Sequence, residues 1–297
     1  MLRLISVLLF ALMHAGTAAT QAPSVPLLVE NAWLAQQLGR HDLVVIDARD
    51  TEQYRAGHIA GAINIPVDHT FDQTNRAGLV APISQLQKLF SSAGLTHRQQ
   101  LVIYDDGRFI DAGRLFWVLE VMGHRDLAVL NAGFPRWQAR GLPVSREISQ
   151  LAPSDYSPTV NPKRLATAFS TLLATQDARK TIIDVRSPEE FLGRQSIASR
   201  KGHIPRARNI PWTRLIVDRG GNPRIRAQAE LEELFADIDK DSRVITYCNK
   251  GKQSALTYFV LRMLGYDVAA YDGSWSEWGN DHSLPIVSPE TRPQVRQ

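Results

Sequence analysis

Cys248 is the only cysteine among 297 residues, and it stands in the stretch "TYCNKGKQS" that runs from Thr246 to Ser254. A thiol acts as a nucleophile in its thiolate form, which nearby cations and a helix N-terminus favour. Lys250 and Lys252 follow it closely. The apolar run 244–247 reads as a strand, and residues 254–264 carry apolar positions at helical spacing. Cys248 then opens a strand-to-helix loop, and in such a loop successive backbone N–H groups, those of Asn249 and Gly251 among them, converge on the sulfur as far as Ser254. This arrangement suits covalent catalysis by an activated thiolate. The competing reading is a buried, inert cysteine at a strand end, followed by two solvated lysines.

The rest of the chain must position that loop, and the sequence does so with a repeated unit. The first half reads "LVVIDARDTEQYRAGHIAGAINIP", "LVIYDDGRFIDAGRLFWVLEVMGH" and "LAVLNAGFPRWQARGLPV". The second half carries the same three blocks in the same order, as "TIIDVRSPEEFLG" with "KGHIPRARNIPW", "VITYCNKGKQSALTYFVLRMLGY" and "VAAYDGSWSEWGNDHSLPI". His58 lies 11 residues after Asp47 and His203 lies 19 after Asp184, so the second copy has an eight-residue insertion before "GHI". Insertions of that kind belong in surface loops. The β-branched runs 43–47, 101–105 and 127–131 alternate with amphipathic stretches of helical period, which argues for βα units, a mainly parallel sheet and an α/β fold. Gly123 and Gly265 are expected to close the long helix of each copy.

With 44% hydrophobic residues, the chain can bury a sizeable core, and its length suggests about two domains. The net charge of +4 is spread along the chain, with no basic stripe, which argues against nucleic-acid binding. Residues 1–22 look like a signal peptide: Arg3, a ten-residue apolar run at 4–13, and small residues up to Ala19 or Ala22. That run is half of the roughly 20 residues needed to span a bilayer, so no stable membrane anchor is expected. The protein is expected to be exported, to a bacterial periplasm, where an unpaired thiol points to reactivity or an intermolecular partner. Residues 23–145 form the first repeat and 163–287 the second; the proline-rich stretch 146–162 reads as a linker and 288–297 as a flexible tail.

The repeated motifs resemble the two-domain rhodaneses, the thiosulfate sulfurtransferases, with mercaptopyruvate sulfurtransferases as near relatives. The resemblance covers nearly all of the mature chain. It rests on Asp47 and Arg49, "GHIAGAINIP" at 57–66 and "YDDG" at 104–107 in the first copy. In the second it rests on Asp184 and Arg186, "GHIP" at 202–205, "NIPW" at 209–212, the cysteine loop, and "YDGSWSEW" at 271–278. It implies two tandem rhodanese-like domains, each a mainly parallel sheet flanked by helices, with one active site at their interface. Aligning the copies puts Asp105 where Cys248 stands, and a carboxylate cannot form a persulfide.

By the same resemblance, Cys248 takes the sulfane sulfur of a small anionic donor such as thiosulfate, and the persulfide is discharged to cyanide or a thiol. A thioredoxin-like or carrier protein is a further candidate for the acceptor. Family thiosulfate users carry a cation at the position of Lys250, where the mercaptopyruvate enzymes have the serine of "CGSG". Lys252, Asn249, Gly251, Ser254 and Arg186 join it as candidate substrate-binding residues; the other reading of Arg186 is an ion pair with Asp184 beneath the site. Glu190 departs from the arginine that animal rhodaneses and mercaptopyruvate enzymes place six residues after the aspartate, although some bacterial thiosulfate enzymes are acidic there. Arg194, Arg200 and Lys201 in the insertion are candidates for a replacement cation. A phosphatase of this fold would need an arginine six residues after the cysteine, and Ser254 stands there. The alternatives are a 3-mercaptopyruvate sulfurtransferase and a non-catalytic binding or sulfur-carrier module. His58 and His203 occur in both copies, including the one without a thiol, which argues against a base role. No cofactor is implied, and no Cys/His cluster has metal-ligand spacing.

Overall fold

The computed structural model of the chain describes residues 25–73, 79–218 and 220–288. The expected signal peptide and all of the expected tail except Ser288 lie outside these residues.

The strands Leu28–Val29, Leu127–Leu130, Gln100–Tyr104, Leu43–Asp47 and Ile63–Asn64 form, in that spatial order, a five-stranded parallel sheet. The second half repeats it with Leu165–Ala166, Val268–Tyr271, Arg243–Tyr247, Lys180–Asp184 and Arg208–Asn209. The repeat extends to register: Asp47 pairs with Tyr104 as Asp184 pairs with Tyr247. Central strands such as Gln100–Tyr104 are buried throughout, as parallel strands with helices on both faces must be. The strand expected at 101–105 ends one residue earlier because Asp105 turns its carboxylate back onto the amides of the following loop.

The long helices Ile110–Val121 and Gln253–Met263 follow the central strand of each half and pack against one another. Phe116 meets Phe259 edge-on with ring centres 5.0 Å apart. Gly113 permits the close approach, since a Cβ there would lie 3.1 Å from the Leu256 Cα. One hydrophobic core therefore runs through both domains at this helix pair, while the outer faces of the two sheets have separate cores around Trp137 and around Trp275 and Trp278. A polar clamp adds to it, with Glu120 accepting from Arg262 at 2.6 Å and from the Tyr258 hydroxyl. The helix ends fall at Met122 and Leu264, each followed by a left-handed glycine, Gly123 at φ 89° and Gly265 at φ 82°.

Residues 146–161 contain no helix or strand, yet they are bound along the first domain. Tyr156 is buried against Phe90 and His97, and the N–H of Asn161 donates to the Val121 carbonyl at 2.7 Å. No helix among the described residues is long and apolar enough to cross a membrane.

Candidate active site

The Asp-x-Arg motif builds the same buried support in both halves. Arg186 donates to Asp184 at 3.0, 3.1 and 2.6 Å and to the Gly202 carbonyl at 2.8 Å, and its guanidinium lies 4.4 Å from the Trp275 ring centre. Arg49 repeats this with Asp47 and the Gly57 carbonyl. Tyr247 and Tyr104 each donate a hydroxyl to the aspartate and accept the N–H of the isoleucine after "GH", Ile204 or Ile59, at 3.1 Å. Burial, then the Asp184 charge, pushes the Tyr247 hydroxyl well above the ordinary range, so it stays a donor. His203 and His58 stack on Phe191 and Tyr54 and bond to the carbonyls of those residues. The motif thus ties the end of the central strand, and with it the position of the residue that follows, to the "GHI" loop.

In the second half that residue is Cys248. It is buried with 1% exposure at the floor of a cavity of about 410 Å³. Its N–H donates to Ser274 Oγ at 3.2 Å, and the same Oγ lies 3.9 Å from Sγ. The N–H groups of Trp275 and Ser276 hold the carbonyls of Cys248 and Asn249 at 3.0 Å each. Among the described residues, no acceptor meets the N–H groups of Asn249 through Ser254. A loop of open amides running into the start of a helix, next to a thiol, is suited to hold negative charge on sulfur.

Asn249, Lys250, Lys252 and Gln253 line the cavity with Cys248. Lys250 is exposed and has no ion-pair partner among the described residues. Gly251 lies at φ 74°, where a side chain would be strained, and a Cβ there would meet Asp272 Oδ1 at 2.8 Å and Arg114 Nη1 at 2.9 Å. Ser254 is buried; its carbonyl accepts from Thr246 Oγ1 at 3.1 Å, and it does not line the cavity. Nor does Arg186, whose guanidinium is turned to Asp184. Glu190 caps its own short helix, Pro188–Phe191, through Ser187 and accepts from Asn249 Nδ2. Burial opposes its ionisation, but the bonds from Asn249 and Ser187 outweigh that and hold the carboxyl below its ordinary range. The insertion supplies no guanidinium to the cavity. Arg200 is spent on the carbonyls of Trp278 at 2.6 Å and Leu284 at 2.8 Å, and Arg194 pairs with Glu189 at 2.7 Å.

Several residues of the site were not singled out from the sequence. Asp68 and Phe71 of the first domain and Ile197 of the insertion complete the cavity wall. Arg114, also from the first domain, is fully buried, pairs with Asp272 and donates to the Gly251 carbonyl at 3.2 Å. The available signal for Arg114 was an arginine inside an otherwise apolar helical run; nothing local marked Asp68 or Ile197. A hollow of about 460 Å³ in the first domain, beside Tyr54 and the linker, is larger, but no nucleophilic thiol reaches it.

The position matching Cys248 shows what the same loop does without a thiol. Asp105 accepts from the N–H groups of Gly107 at 2.8 Å and of Phe109, Asp111 and Ala112 at 3.2 Å each, so a carboxylate of the chain itself takes up the amides.

A duplicated parallel α/β unit with one buried thiol at a strand-to-helix loop defines a class, and comparison with known proteins agrees. The Rhodanese-like domain family matches residues 30–140 and 165–281, and the chain belongs to it. It is a sulfurtransferase. It is similar to the thiosulfate sulfurtransferase of Azotobacter vinelandii, 35% identical over 89% of this chain and 97% of that one. The thiosulfate sulfurtransferase of Pseudomonas aeruginosa is 34% identical over 88% and 97%. Among solved structures, SseA from Escherichia coli, described with the rhodanese fold and catalytic mechanism of 3-mercaptopyruvate sulfotransferases, matches with a TM-score of 0.76 and 27% identity, over 85% of this chain and 100% of that one.

Proposed function

We propose that the protein moves the sulfane sulfur of thiosulfate, through a persulfide on Cys248, to cyanide or a thiol. The observation that carries this reading is the cavity itself, where one buried thiol shares a loop with amides and a cation, Lys250, that have no partner among the described residues. The Cys248 thiolate attacks the outer sulfur, the sulfur–sulfur bond of the donor breaks, and its electron pair leaves on sulfite. The loop amides bear charge on the transferred sulfur, while Lys250 offsets charge on the departing sulfite. An acceptor then attacks the outer sulfur of the persulfide and regenerates the thiolate. Exchange through one enzyme-bound sulfur requires no cofactor.

The likeness to the Escherichia coli structure supports mercaptopyruvate as a second donor. Lysine at 250 favours thiosulfate, and Glu190, standing in place of an arginine, weakens the mercaptopyruvate reading more than the thiosulfate one. A thiol on a thioredoxin-like or carrier protein is a proposed acceptor, and the apolar run at 4–13 supports a proposed site of action in the periplasm.

The test is to incubate the protein and Cys248→Ala with thiosulfate or mercaptopyruvate and cyanide, following thiocyanate and the mass of the chain. Thiosulfate should add one sulfur to Cys248 of the unaltered protein only. A chain that gains no sulfur from thiosulfate overturns the reading, and gain from mercaptopyruvate alone selects the second.

A further inference from the structure

Lys252 does not face the cavity unaccompanied. Its Nζ meets Asp68 Oδ1 at 2.8 Å and Asp111 Oδ1 at 3.4 Å, two carboxylates of the domain that lacks the thiol. It also lies 5.5 Å from the centre of the Phe71 ring. One lysine between two carboxylates leaves that corner net negative. The Asp68 side chain is 78% exposed and lines the cavity with Cys248, so its charge acts on whatever enters. Lys250, on the same wall, has no such partner among the described residues.

We infer that Asp68 and Asp111 withhold Lys252 from the sulfur donor, leaving Lys250 as the donor's cation and setting the cavity against a second negative charge. The interaction of a fixed charge with a ligand scales with the ligand's charge, so each carboxylate opposes a dianion about twice as strongly as a monoanion. The domain without a nucleophile thereby becomes a determinant of donor class, favouring monoanionic thiosulfonates relative to thiosulfate. This kinetic consequence rests on the sulfur-transfer reading above; the negative charge that Asp68 sets on the cavity wall does not.

Asp68→Asn removes one charge at an exposed position and keeps the side-chain size. The KM for methanethiosulfonate should fall about twofold, and that for thiosulfate by about the square of that factor, roughly fourfold. Asp111→Asn should act in the same direction. A rise in the KM for thiosulfate would mean that Asp68 holds Lys252 in place for the donor and would overturn the inference, as would equal shifts for both donors or none. A second measurement does not depend on sulfur transfer: the ratio of Cys248 alkylation rates by anionic iodoacetate and neutral iodoacetamide. That ratio should rise in Asp68→Asn, and an unchanged ratio refutes the field. Should the unaltered protein accept sulfur from neither donor, the functional reading fails while the alkylation ratio still decides this one.

Discussion

Glu190 Oε1 accepts a hydrogen bond from Asn249 Nδ2 at 2.5 Å, which ties the helix after the second Asp-x-Arg motif to the residue beside Cys248. The same carboxylate caps its helix at Ser187, so one side chain fixes both helix and loop. A hydrogen bond to a charged group is worth about 1.5–3 kcal/mol, and Glu190→Ala should lower kcat/KM by about tenfold or more. Glu190→Gln keeps an acceptor for Asn249 and should retain most of the activity. Because the carboxyl is held below its ordinary range, the tie is complete above the unfolded-state value and is lost only as pH falls through the lower folded one. The acid limb of a kcat/KM profile should therefore change shape in Glu190→Gln; an unchanged limb would detach Glu190 from the loop.

Ser274 sits at φ 51°, fully buried, with its hydroxyl accepting from the Cys248 N–H and lying 3.9 Å from Sγ. Its proton has two acceptors, the Tyr271 carbonyl at 2.9 Å and the sulfur. Ser274→Ala should slow persulfide formation by about tenfold, the equivalent of about 1.4 kcal/mol, with the KM for donor little changed. Stopped-flow single turnovers separate the two quantities. A rise in KM with an unaltered turnover rate would assign Ser274 to donor binding instead.

The alternation of apolar runs made the two parallel sheets legible, and Leu43–Asp47 coincides with its run because both of its faces are covered. Cys248 was legible as a candidate because a lone thiol beside two lysines departs from what a strand end requires. Asp68, Phe71 and Arg114 were not. They come from the other domain, more than 100 residues away; Asp68 and Phe71 line a cavity that nothing in their local pattern marks, and Arg114 stands beside it on Asp272 and the Gly251 carbonyl, marked in the sequence only as a charge within an apolar run. Lys252 illustrates the limit well. Its charge is evident in the sequence, yet whether that charge faces a substrate or two carboxylates depends on domain packing.

Asp105 gives a pH signature to the domain that lacks the thiol. Burial, followed by the Asp106 charge, pushes its carboxyl up to about 7, against the four amides that favour ionisation. A carboxyl raised in the folded state holds its proton where the unfolded chain has lost it. Its contribution is present below the ordinary carboxylate range and disappears as pH rises through about 7. His124 acts in the opposite sense at lower pH, because burial lowers it from 6.5 to about 4 and its stabilising effect is lost as pH falls through that window. Melting temperatures measured from pH 6 to 8 should decline in the unaltered protein and flatten in Asp105→Asn. An equal slope in both would remove Asp105 as the titrating group.

Gly113 should be the most sensitive position of the domain interface. A Cβ at this position would stand 3.1 Å from the Leu256 Cα and 3.2 Å from its nitrogen, both backbone atoms of the facing helix. Gly113→Val would force the helices apart along the core around Phe116 and Phe259, at a cost of about 1–3 kcal/mol, whereas Gly113→Ala should cost less. Since Arg114 carries the contact with Gly251 from the next position, the separation should also lower kcat/KM before the protein unfolds. Denaturant melts and activity measured on the same samples test the order of loss.

Lys250 is the cation whose removal should be felt most by the donor. It is exposed and lines the cavity, and no carboxylate among the described residues competes for it. Lys250→Ala should raise the KM for thiosulfate about tenfold, about 1.4 kcal/mol, and leave the melting temperature within about a degree, because an exposed lysine without a partner contributes little to folding. Lys250→Arg should restore most of the affinity, since a point charge rather than a forked donor is what the position supplies. Lys252→Gln leaves Asp68 and Asp111 unpaired; it should also raise the KM, but with a measurable loss of stability at the domain interface. The two lysines are therefore separated by melting temperature rather than by affinity, and equal thermal losses in both variants would show that Lys250 too is held by the fold.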